Sequence, residues 1–198
     1  MNHIFIFLIS FSFTFSQNYL TKADIFLTST LEGKNNNPIM DVAMEGLAIA
    51  TPFIEFGSAG LNQIGNEKLV PSFATTLGVQ LPIALGKYFF KRERPQRHYN
   101  PRMWNSRFTP SFPSGHAATT VAWATAVTLQ NPELFPFMVS YTFLSGYSQV
   151  YVGNHYVSDI IAGWVVGYAV AFFSNNLINN KKYNTNESPQ LRFSIPLP

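Results

Sequence analysis

The chain contains no cysteine, so neither a disulfide framework nor a thiolate metal site is available to it. Charge is scarce as well. Lys, Arg, Asp and Glu make up 12% of the 198 residues, about half the usual share. So few charges cannot clothe an ordinary solvated surface, which points to a largely buried or membrane-associated helical protein. A net charge of +3 is small for a nucleic-acid footprint, and the apolar segments argue against that partner too. There is no internal repeat, and no alternating stretch long enough for a strand that matters. Hydrophobic residues, by contrast, reach 46% and include 19 phenylalanines. Mean hydropathy is only +0.05, low for a chain built wholly of spanning helices.

The length suits one domain with a real core. In "MNHIFIFLISFSFTFSQNYL" an uncharged run, Ile4–Phe15, is followed by small polar residues. Residues 1–17 are therefore predicted to be an export signal, with an N-terminal anchor helix as the alternative. Residues 18–39 are expected to be a linker ending in the turn-rich Asn35–Pro38, residues 40–180 a helical domain, and residues 181–198 a polar tail. Met40–Ile64, Leu69–Gly86, Ala117–Gln130, Phe135–Val152 and Ile160–Ile178 read as helices. The first carries Asp41, Glu45 and Glu55, which need water or partners on one face. The last, at ~1.5 Å per residue, approaches the ~30 Å of a hydrocarbon core. The predicted class is all-α, an antiparallel bundle of five or six helices with its site at one end.

Seven of the 13 basic residues lie between Lys87 and Arg107, opposed there only by Glu93. A solvated face or a cytoplasmic loop would account for such a run, and so would an anion site. "PSFPSGHAATTVAWA" favours the anion site. Ser114 and Gly115 lead into a strong helix former, a terminus whose free N–H groups favour a negative charge. His116 falls on its first turn, where a lone histidine is usually a capping or packing residue. In "SQVYVGNHYVSD", His155 precedes Asp159 by one helical turn. If neighbouring helices run antiparallel, these three polar motifs meet at one end of the bundle.

Three signatures stand in order: "KYFFKRERP" with Lys87, Arg94 and Pro95; Pro113-Ser114-Gly115-His116; and Ser148, Gln149, His155 and Asp159. Together they resemble the type 2 phosphatidic acid phosphatase and vanadium haloperoxidase superfamily over roughly residues 40–180. That resemblance implies phosphoester hydrolysis through a phosphohistidine. His155 would be the nucleophile, Asp159 its orienting partner and His116 the general acid, with Lys87, Arg94, Ser114 and Gly115 binding phosphate. The scheme requires no metal or cofactor, vanadate being expected only as an inhibiting phosphate mimic. The implied substrate is a phosphoester, lipid-borne given the apolar composition. No protein partner follows.

Gln149, expected as a weaker phosphate-binding residue, departs from the pattern, standing where the motif has arginine. Losing a charge-assisted hydrogen bond costs roughly 1.5–3 kcal/mol, one to two powers of ten in rate if all is lost at the transition state. The expected outcomes are a slower phosphatase, one retuned to a less charged ester, or one rescued by Arg92, Arg97, Arg102 or Arg107. A vanadate-dependent haloperoxidase and a non-catalytic phosphate-binding relative are the alternatives, the first disfavoured by the short chain. The expected location is the cell envelope, either embedded with the site on the extracytoplasmic side or soluble in the periplasm. Lys181 and Lys182 after the last helix suit the cytoplasmic side of an embedded chain.

Overall fold

The computed structural model describes residues 21–61 and 75–185, and these are helical with no strand among them. The expected export signal lies outside the described residues, as does the tail beyond 185. Residues 75–78 are helical, and six longer helices are described. They are α1 (21–31), α2 (Pro38–Leu61), α3 (Gln80–Phe90), α4 (Gly115–Gln130), α5 (Phe135–Tyr151) and α6 (Val157–Thr185), with a 3₁₀ turn at Pro132–Leu134. The all-α class is as expected.

Several boundaries move for local reasons. α2 begins at Pro38, whose missing N–H costs nothing at a helix start, and Asn37 caps it by accepting from the Met40 N–H at 3.2 Å. α3 continues past Gly86 to Phe90, so Lys87 lies on its last turn. Lys91 ends it in the left-handed region at φ 46°. α6 starts at Val157, before Asp159, and extends to Thr185 in the stretch expected as tail. Residues 21–31, in the stretch expected as linker, are helical.

α4 is the central helix, packed most extensively on α6 and also on α5, α2 and α3. Its composition explains this. Ala117, Ala118, Ala122, Ala124 and Ala126 are all buried, and such small side chains let neighbours come close. Across from them α6 offers Gly163, where an added Cβ would lie 2.6 Å from the Ser114 carbonyl oxygen. Lower down, Trp123 meets Tyr141 edge to face at 5.5 Å, a pair worth about 0.5–1.5 kcal/mol beyond area burial.

Candidate active site

Between α3 and α4 the chain runs without regular structure from Lys91 to Ser114, and buried carboxylates hold this loop in place. Glu32, just past α1, accepts the N–H groups of His98 and Tyr99 at 2.6 and 2.9 Å. Glu45 of α2 takes the Tyr99 hydroxyl at 2.6 Å and the Met103 N–H at 2.7 Å. Asp41 pairs with Arg102 at 3.1 Å and accepts the Tyr151 hydroxyl at 2.7 Å. Asp41 and Glu45, two of the three acidic residues of the apolar α2, thus find partners in and beside this loop. Buried carboxylates need them, because desolvation without hydrogen bonds costs several kcal/mol.

The loop delivers Arg92 and Arg94 to the start of α6. Arg92 reaches Asp159 Oδ1 and Asp24 Oδ2, both at 2.7 Å, and its guanidinium lies 3.9 Å from the Tyr156 ring centre. The other Asp159 oxygen accepts the Tyr156 N–H at 3.0 Å and faces His155 Nδ1 at 3.3 Å. On the far side of the ring, His155 Nε2 lies 3.3 Å from an Arg94 nitrogen. Carboxylates only accept and guanidiniums only donate, so Nδ1 carries the proton and the Nε2 lone pair accepts from Arg94. Burial pushes His155 down to about 4 against the pull of Asp159, and the charges of Arg94 and Lys87 add to the depression. The ring is neutral at pH 7.

Gly153 makes the turn that presents His155. Its φ of 65° lies in the left-handed region, and a Cβ there would meet Glu32 Oε1 at 2.7 Å. Arg94 donates to the Asn154 carbonyl and Arg107 to the Gly153 carbonyl at 2.5 Å. Two arginines therefore grip the carbonyls immediately ahead of His155.

The second motif joins the third through the backbone, the Ser114 N–H donating to the Asp159 carbonyl at 3.0 Å. Ser114 is fully buried as the N-cap of α4, its hydroxyl oxygen accepting from Ala117 at 3.3 Å. Its own N–H and hydroxyl oxygen are thus engaged, and the turn at Gly115 and His116 follows from this cap. His116 shares with His155, Arg94, Arg107 and Gln149 a cavity of about 360 Å³, whose other walls include Ile49, Phe53, Trp104 and Phe108. Lys87 is not on that wall. It lines an adjoining opening of about 730 Å³ with Lys91, Arg94 and Arg107, and its ammonium donates to the Pro110 carbonyl at 2.7 Å.

All eight residues expected at the site lie at this end of the bundle. Gln149 lines the cavity but is tethered at both ends, donating to the Ala48 carbonyl at 3.0 Å and accepting from Asn154 at 2.9 Å. Sequence reasoning missed the grip of Arg92 on Asp159 and the part played by Asp24 and Glu32. Asp41 and Glu45, one helical turn apart within an apolar segment, signal partners on one side, but those partners are Tyr99, Arg102, Met103 and Tyr151, and nothing in the spacing points to Arg92. Among the described residues no group of His, Asp and Glu side chains converges as a metal-holding cluster.

The family model described as the PAP2 superfamily matches residues 68–183, and the chain belongs to that superfamily. It is 35% identical over 100 residues to an undecaprenyl-diphosphatase of Sulfolobus acidocaldarius, covering 48% of each chain. It is 34% identical over 103 residues to a lipid A 1-phosphatase of Rhizobium etli, covering 48% of this chain and 44% of that one. These matches span about half the length of the curated relatives. Its fold is that of a transmembrane PAP2-type phosphatidylglycerolphosphate phosphatase from Bacillus subtilis, with TM-score 0.67 and 20% identity over 96% of this chain and 98% of that one.

Proposed function

We propose that the chain is a membrane-bound hydrolase that removes phosphate from a lipid phosphate or diphosphate through a phosphohistidine at His155. The observation that carries this is the ring of His155. Its Nδ1 is held by Asp159, and its Nε2 lone pair opens beside Arg94 into a cavity also lined by His116. Nε2 attacks phosphorus in line, and the bond to the departing oxygen breaks. His116 gives that oxygen its proton, aided by the negative charge the bound phosphate brings beside it. Asp159 stabilises the positive charge that develops on the ring. A water then attacks the phosphohistidine, surrendering a proton to His116 and restoring both histidines. Arg94 releases the Nε2 lone pair to the substrate and, with Lys87 and the N–H groups of the Gly115–His116 turn, meets the equatorial oxygens.

The lipid character rests on the apolar wall of the cavity, on the names of the relatives and on the outer surface. Val157–Leu177 is long and apolar enough to cross a membrane, with mean hydropathy 1.6 and only 28% of its best window buried. Phe26, Ile39, Phe53, Leu81, Phe89 and Phe137 are exposed on other helices, a surface suited to hydrocarbon. With Lys181 and Lys182 on the cytoplasmic side, the site opens on the extracytoplasmic side.

Phosphate release by the full chain in detergent, from a panel of lipid and soluble phosphoesters, tests the reading. Release from lipid substrates that vanishes in His155→Ala is expected. Binding of orthovanadate without release from any ester would make the chain a non-catalytic relative.

A further inference from the structure

Gln149 leaves the site one cation short of the motif, and four arginines stand near enough to compensate. The structure separates them. Arg92 is committed to Asp159 and Asp24, and Arg102 to Asp41. Arg97 is bonded to Asn105 at 2.8 Å and Asn154 at 2.5 Å, and is not on the cavity wall. Arg107 differs from all three. It lines both the histidine cavity and the opening beside Lys87. Its bonds go to neutral carbonyls, Pro95 at 2.9 Å and Gly153 at 2.5 Å. Among the described residues no carboxylate lies within ion-pair distance of it.

Arg107 and Arg94 also act on one another. They hold the successive carbonyls of Gly153 and Asn154, which brings two guanidiniums together at the approach to His155. Arg94 is pushed down to about 10, first by burial and next by the charge of Arg107. Two half-buried like charges repel when no carboxylate is in direct contact with either, and an oxyanion between them relieves both.

We infer that Arg107 takes over the phosphate contact of the motif arginine that Gln149 replaces, its guanidinium and that of Arg94 together clasping the phosphoryl oxygens at His155. Gln149 serves instead as a strut between α2 and the Asn154 turn. This assignment rests on the hydrolase reading for its catalytic consequence but not for its anion binding.

The test measures orthovanadate binding and turnover of p-nitrophenyl phosphate by the full chain, together with its melting temperature. Arg107→Gln should weaken vanadate binding and lower kcat/KM by roughly ten- to a hundred-fold, the worth of one charge-assisted contact. Adding Gln149→Arg to Arg107→Gln should recover part of both. Unchanged vanadate affinity in a folded Arg107→Gln protein overturns the assignment. Should Arg107→Gln unfold, Arg107→Lys decides, because it keeps the charge and a donor for Gly153 but not the fork. Wild-type vanadate affinity in that variant overturns the forked contact, and a several-fold loss supports it. If the wild type hydrolyses no ester yet Arg107→Gln weakens vanadate binding, the hydrolase reading fails while the anion contact stands.

Discussion

Gly163→Ala probes whether the two histidines depend on the close approach of α4 and α6. The added Cβ would sit 2.6 Å from the Ser114 carbonyl oxygen, 3.0 Å from the Ala117 Cβ and 3.1 Å from the Ala118 nitrogen, whereas ordinary contacts begin at 3.4 Å. Two of these three neighbours are backbone, so no rotamer change relieves the clash. The helices must part by about 0.8 Å to restore normal contact. The same seam holds the Ser114 N–H against the Asp159 carbonyl at 3.0 Å, and His116 follows Ser114 by two residues. The separation of His116 from His155 therefore changes by a similar amount. Displacements of about 1 Å at reacting groups cost on the order of 10²-fold, so kcat should fall about 10- to 100-fold. Overpacking costs about 1–3 kcal/mol, which for a chain of this size lowers Tm by roughly 2–12 °C. Steady-state hydrolysis and thermal unfolding in detergent read both effects. Gly46→Ala, whose Cβ meets nothing within 4 Å, is the control and should leave kcat unchanged. Wild-type kcat and Tm in Gly163→Ala would show that the two histidines do not depend on the close seam of α4 and α6.

Two further outcomes are expected. Arg92→Gln strips the buried Asp159 of its cation. Removing one partner of a buried pair costs about 3–5 kcal/mol, and the partial exposure of Arg92 (26% of its side chain) puts the effect at the lower end, with kcat falling at least about tenfold as the ring loses its fixed support. Equal stability and turnover in that variant would show that Asp159 needs no counterion. His155 is pushed down to about 4 from an ordinary 6.5, so it stays neutral in the folded chain while an unfolded chain takes up a proton. The contribution of His155 to stability is therefore full above pH 6.5 and falls as pH drops toward 4. An NMR titration of the free protein should place the His155 midpoint well below 5, and a midpoint near 6.5 would contradict the burial argument.

What could be read in advance follows from which residues face which way. α4 and α5 were legible because ordinary helix formers run between a Ser-Gly start, a QNPE stop and a glycine turn. The site was legible because its residues fall at helix ends in short, fixed spacings. α1 was not. Its buried face is Asp24 and Thr28, continued by Glu32, while Ile25, Phe26, Leu27 and Leu31 point outward. A pattern with its polar side inward defeats a reading that seeks an apolar core, and the reason for the inversion, Arg92 and the His98–Tyr99 backbone, lies some seventy residues away in the chain. The same distance hid the support of Asp159 by Arg92. Lys87 falls just past the expected Leu69–Gly86 segment, which is the run without a charged residue, yet the helix goes on to Phe90 and its stop is Lys91 in a left-handed conformation.

The most direct measurement is to quench the full chain during turnover of a ³²P-labelled ester and map the label. An acid-labile, base-stable phosphoramidate on His155, absent from His155→Ala, is the expected product. Label on another residue, or steady hydrolysis by His155→Ala, would contradict it.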